Sequence, residues 1–154
     1  MKYVIDETDL TILRHMQANC RLTVKELAQQ IHLSPTPTFE RLRKLERNGF
    51  IKQYAAVLDA EKLNRGFVVI CCISMKNINK SITDDFRQRI QEWTEVSECY
   101  NTSGEYDFMM KVYVNGMKEY QQFVLNKVGT LDYVSKVQSV FIMDSMKNNY
   151  GIPV

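Results

Sequence analysis

Apolar residues recur three and four apart at Val24, Leu27, Ala28 and Ile31, which predicts a short helix with one buried stripe. Thr23 stands directly before it as an N-cap. The chain leaves this helix at His32 and Leu33, and Ser34-Pro35 predicts a restart: the serine hydroxyl can accept from an unpaired amide, while proline takes the first helical position, where its missing N–H costs nothing. In this second helix Phe39, Leu42 and Leu45 form the inward face. Thr36, Thr38, Arg41, Lys44 and Arg47 are left to the other sides, and Gly49 supplies the stop. An earlier helical pattern opens at Asp6, with Leu10, Ile12, Leu13 and Met16 apolar and Asp6, Glu7 and Asp9 at the end where a helix dipole favours acids. The last two of these three helices stand in helix-turn-helix order, the geometry of a major-groove reader. Beyond Gly49, FIKQYAAVLDAEKL is apolar and β-prone and predicts a short hairpin, or wing, from which Lys52 reaches the DNA backbone.

The polar, turn-prone run LDAEKLNRG, residues 58–66, predicts a hinge between an N-terminal domain (1–57) and a C-terminal domain (67–154). Phe67 to Met75 is apolar on both faces and β-branched, as a covered strand requires. A helix follows, capped by Ser81, with Asp84 and Asp85 in its first turns and Phe86, Ile90 and Trp93 inward. Strands are predicted at Val96 to Thr102 and Asp107 to Val114, joined by a loop whose Gly104 makes a positive φ cheap. A helix from Met117 to Val128, with Tyr120, Phe123 and Val124 inward, and a long strand from Val134 to Met146 complete the order βαββαβ. The fold class is therefore α+β: a winged helix-turn-helix followed by a ferredoxin-like four-stranded sheet with both helices on one face. Cys71, Ile73 and Met75 alternate with Ile70, Cys72 and Ser74, so the second face of the sheet is apolar too. An identical sheet from another chain is the simplest cover, and the twofold symmetry would present two reading helices to two half-sites.

Charge sharpens the division. From Ser34 to Gln53 five basic residues stand against two acidic ones, a net +3. A solvated surface helix would explain such charges alone, but not their coincidence with a capped preceding helix, a tight connection and the run that follows. Residues 1–65 hold 11 basic and 8 acidic groups, a net +3, whereas residues 66–154 hold 9 and 10, a net −1, so only the front half is suited to phosphate. At 154 residues, 45% hydrophobic and 25% charged, the chain reads as one or two small globular domains. No run approaches the roughly 18 apolar residues of a membrane span, and MKYVIDETD turns acidic where a secretion signal continues apolar, so the expected location is cytoplasmic, without a membrane partner. Cys20, Cys71, Cys72 and Cys99 lack metal spacing, and His15 and His32 lack ligand partners. No metal, no cofactor and no catalytic residue is expected. An enzymatic reading of the back half is disfavoured further by the absence there of histidine and of any glycine-rich phosphate loop.

The opening IDETDLTIL, the stretch LSPTPTFERLRKLERNGFIKQY and the loop TSGEYDF together resemble the Lrp/AsnC (leucine-responsive/asparagine-responsive, feast/famine) transcriptional regulators over nearly the whole chain. The resemblance implies a winged helix-turn-helix joined to an effector-sensing ferredoxin-like (RAM) domain. It also implies a homodimer, often assembled into octameric rings, with amino acids bound between dimers. Carried onto this sequence, it marks Ser34, Thr36, Thr38, Arg41 and Lys44 as DNA-facing, beside Arg47 and Lys52, and Thr102, Gly104, Tyr106 and Asp107 as effector-binding. Cys20 stands where the family often has glycine, and Asn64-Arg65 lengthen the segment before Gly66. An amino acid needs a fixed anionic acceptor for its ammonium and amides for its carboxylate, which Asp107 beside a glycine turn can supply. Equally, Asp107 can be a strand-entry residue and Tyr106 an oligomer contact. The expected function is sequence-specific regulation on double-stranded DNA, modulated by an amino acid. The alternative is an effector-independent architectural DNA-binding protein.

Overall fold

The computed structural model describes residues 3–154. Three helices come first: α1 (Glu7–Ala18), α2 (Val24–Gln30) and α3 (Pro35–Arg47). They are followed by β1 (Phe67–Met75), α4 (Lys80–Glu92), β2 (Val96–Asn101), β3 (Phe108–Val114), α5 (Met117–Asn126), a 3-10 turn at Val128–Thr130 and β4 (Val134–Phe141). Two compact units result, one holding the chain up to Val57 together with Lys147–Val154, the other Leu58–Met146. The 58–66 segment belongs to the second unit as a hydrogen-bonded turn, with Arg65 N donating to Ala60 O (2.8 Å), and the last eight residues belong to the first.

In the first unit, local chemistry sets the helix ends. Asp6 accepts from Asp9 N (2.9 Å) while the Asp9 carboxylate accepts from Asp6 N (3.2 Å), and Thr23 and Glu26 repeat the reciprocal cap on α2. Both α2 and α3 end on a left-handed residue, His32 (φ 57°) and Gly49 (φ 75°). Leu33 N then donates to Ala28 O and Phe50 N to Leu45 O, each at 2.9 Å, closing the paired end-bonds that such a residue permits. Ile12, Met16, Leu27, Leu42 and Leu45 form the core.

Three expectations fail here. Ser34 occupies the N-cap of α3, but its side chain makes no capping bond: Pro37 at the third helical position has no amide to donate to it, and the Ser34 carbonyl accepts from Thr38 Oγ1. Phe39 is 45% exposed and Thr38 takes the inward place, since 38, 42 and 45 form the three-and-four row that faces the core. The hairpin after Gly49 does not form: no strand lies between Phe50 and Gly66, a run without the Asn-Gly or Asp-Gly pair that reverses a two-residue turn.

The second unit is the βαββαβ arrangement with sheet order β2-β3-β1-β4, every pairing antiparallel. Val69, Cys71 and Ile73 of β1 and Met110, Val112 and Val114 of β3 are fully buried on the helix-covered face with Phe86, Tyr120 and Phe123. Rings of Phe86, Phe108, Trp93 and Phe123 interlock there, with Phe86 and Phe108 centred 4.7 Å apart. Ser81 does not cap α4; Asn79 does, accepting from Ile82 N at 2.9 Å. β4 ends at Phe141 rather than near Met146; one further bond, from Ile142 N to Val68 O (3.0 Å), follows it, and β1 itself begins at Phe67. The opposite face carries Val68, Ile70, Met109 and Tyr113, all half-buried.

Candidate nucleic-acid interface

α3 presents two distinct rows. Thr38, Leu42 and Leu45 face inward, and Thr36, Glu40, Arg43, Lys44 and Arg47 are exposed at the spacing of one continuous outer stripe. Ser34 and Lys52 are also exposed. Of the seven positions expected to meet DNA, five therefore reach solvent: Ser34, Thr36, Lys44, Arg47 and Lys52. Thr38 does not. It is fully buried, and its hydroxyl donates to Ser34 O at 2.9 Å, so it stabilises the first turn of the helix instead. Arg43 joins the outer stripe and was missed, although its spacing from Thr36 and Arg47 marks it; its guanidinium lies 5.3 Å from the Phe39 ring centre and holds that exposed ring against the helix.

Arg41 occupies the border between the rows and is already engaged. Its Nη1 donates to Asp6 Oδ2 (2.7 Å) and to Asp9 Oδ1 (2.8 Å), and its side chain is 32% exposed against 1% for Asp9. Tyr3 hydroxyl completes the cluster by donating to Asp9 Oδ2 at 2.8 Å. The Asp9 amide and then the Arg41 guanidinium hold the Asp6 carboxyl below the usual carboxylate range, and the same bonds, first to Asp9, raise Arg41. Burial, then the bond to Asp9, raises the Tyr3 hydroxyl. α3 is thereby tied to the start of α1 by charge as well as by apolar packing.

In the second unit the four expected effector positions come together on one loop. Thr102 N donates to Asp107 O (2.9 Å), Thr102 Oγ1 to Tyr106 O (2.5 Å), and Asn101 Nδ2 to Asp107 O (2.9 Å). Asp107 is built into the strand end: its amide donates to Ile73 O (2.9 Å) and its Oδ2 accepts from Met75 N (2.7 Å). Tyr106 hydroxyl donates to Gln138 Oε1, and Lys136 reaches both Glu105 (3.2 Å) and the Tyr106 ring (5.2 Å). Gly104 departs from expectation, since its φ lies outside the left-handed region and open space surrounds the place a Cβ would take. Its backbone would accept another residue.

Residues 5–52 match the domain described as winged helix-turn-helix DNA-binding, and residues 68–152, more than half of the chain, match the Lrp/AsnC ligand binding domain. The chain belongs to the Lrp/AsnC family. It is a transcriptional regulator with a DNA-binding helix-turn-helix unit and a ligand-binding unit. The Bkd operon transcriptional regulator of Pseudomonas aeruginosa is 33% identical over 92% of this chain and 93% of its own length. The transcriptional regulator AzlB of Bacillus subtilis is 27% identical over 100% and 98%. Among solved structures, a Neisseria meningitidis transcriptional regulator in complex with L-Met superposes with a TM-score of 0.93 at 33% identity, covering 97% of each chain. Among the described residues of this Lrp/AsnC regulator, no helix is long and apolar enough to cross a membrane, and no three His, Cys, Asp or Glu side chains gather as a metal site.

Proposed function

We propose that this Lrp/AsnC regulator reads DNA with the outer stripe of α3, with Lys44 and Arg47 as the principal cations, Arg43 beside them and Lys52 on the flanking backbone. Ser34 and Thr36 lie at the helix N-terminus, where hydroxyls and amides suit a phosphate. The observation that carries this reading is the separation of rows on α3, which leaves three cations on one exposed face. Loss of a phosphate contact in Lys44→Ala lowers affinity on all duplexes and flattens the salt dependence by about one unit of slope. Equal affinity and slope in the variant would remove Lys44 from the interface.

The protein acts as a homodimer or a higher closed assembly in the cytoplasm, its exposed apolar sheet face meeting a second copy, and its grip on DNA responds to an amino acid held at the loop of Thr102, Gly104, Tyr106 and Asp107. The L-Met complex of the Neisseria relative supports that class of effector. Asp107→Asn separates the two roles of this residue, because the amide still accepts from Met75 N but no longer offers a charge to an ammonium. A screen of amino acids by thermal shift should find a stabilising ligand for the native chain and a smaller shift in Asp107→Asn. If no amino acid shifts the native protein, regulation is effector-independent and the architectural reading takes its place. Genomic fragment selection with the purified protein, with and without an amino-acid pool, tests operator, symmetry and ligand dependence together.

A further inference from the structure

We infer that Arg41 is a positioning residue: it latches α3 to the start of α1 and sets the angle at which the outer stripe meets DNA, without itself contacting DNA. The inference rests on the DNA-binding reading above.

One guanidinium nitrogen serves two carboxylates, Asp6 Oδ2 at 2.7 Å and Asp9 Oδ1 at 2.8 Å. Both acids belong to the α1 capping box, so the same groups that start α1 also receive the side chain from the middle of α3. Asp9 is the fixed point. At 1% exposure its carboxylate is out of water, and its remaining donors are the Tyr3 hydroxyl and the Asp6 amide on Oδ2. Were Arg41 to swing out to a phosphate, Oδ1 would lose its cation and leave a buried charge uncompensated, an arrangement far worse than leaving the pair intact. Thr38, one turn earlier on α3, is buried along the same border and cannot follow such a movement without exposing its bond to Ser34 O. The latch therefore stays closed while Arg43, Lys44 and Arg47, all exposed, remain free to meet DNA. Its consequence is selectivity: base-edge contacts depend on helix angle, whereas phosphate contacts from flexible lysines and arginines tolerate a change in it.

The test uses the full chain, the operator duplex recovered by genomic selection and a scrambled duplex of equal length, titrated over a series of salt concentrations. Arg41→Lys keeps one positive charge but cannot bridge both acids, and Asp6→Asn cuts one arm of the latch while asparagine still caps α1. Both variants should lower operator affinity about tenfold and leave scrambled-duplex affinity within about twofold, the loss falling on base readout rather than on phosphate. The salt slope in both should match that of the native chain. Tighter operator binding by Asp6→Asn would overturn the inference, since it would mean that freeing Arg41 creates a DNA contact. So would a salt slope reduced by about one in Arg41→Gln, which is the mark of a lost phosphate contact. An unchanged ratio of operator to scrambled affinity in both variants would also overturn it, reducing the latch to a folding element. If the native chain itself shows no preference between the duplexes, the DNA-reading proposal fails first, a result visible before any variant is compared.

Discussion

Single side chains in this protein divide into those that titrate in service of structure and those held out of reaction. Asp6 and Glu26 both have carboxyls lowered by amide donors of their own capping boxes, Asp6 first by Asp9 N–H and Glu26 first by Thr23 N–H. A carboxyl lowered on folding adds stability above its unfolded value of about 4, and that share is lost as pH falls through the lower folded value. The melting temperature should hold level from pH 7 to about 5 and fall below about 4, and Glu26→Gln should make the fall shallower. A fall of equal steepness in the variant would detach Glu26 from the acid transition. Burial pushes the thiols of Cys71 and Cys99 up to about 11 each, and raises Cys72 as well, while Cys20 is exposed. Iodoacetamide at pH 8 should therefore add one group to the folded protein and four after denaturation, as read by intact mass. Residue roles were legible from sequence where the signal is local, as with Thr23 at the start of α2. They were hidden where the partner lies far along the chain: Arg41 reads as a DNA contact until Asp6, 35 positions away, is found against it.

Elements follow the same logic of range. The start of α1 and α2 and the bounds of β1 were readable because caps, and alternation bounded by polar residues, are local signals. The choice between Thr38 and Phe39 as the inward residue of α3 was not, since neighbouring positions differ by only 100° around a helix and the tertiary contact decides. The hairpin after Gly49 failed for want of a turn pair, β propensity alone being insufficient without a partner strand. Helix ends carry a test of their own. Gly49 has φ 75° and no atom near its would-be Cβ, so Gly49→Ala should cost about 1 kcal/mol in chemical denaturation from backbone strain alone. His32 bears the same strain at the end of α2, and His32→Gly should be neutral to stabilising. Destabilisation by His32→Gly would show that the imidazole contributes more than its backbone position costs.

At the scale of the whole molecule, the proposed effector positions Thr102, Gly104, Tyr106 and Asp107 lie on one loop, where Thr102 bonds Tyr106 and Asp107 while Asp107 and Tyr106 also bond Ile73, Met75 and Gln138 on neighbouring strands. The open sheet face was legible from the doubly apolar β1 alone. Ile70 lies at its centre, paired with Lys111 on one side and Val140 on the other. Ile70→Glu should shift sedimentation toward a smaller species while the far-ultraviolet spectrum stays native, because the helix-covered core is untouched. A variant that sediments as the native protein does would place self-association elsewhere. The first unit, finally, is not one continuous stretch: Gln17 exchanges two hydrogen bonds with Ile152, and Arg14 donates to Val154 O at 2.7 Å. During synthesis those bonds have no partner until the sheet residues have all left the ribosome, so the domain that emerges first is the one finished last.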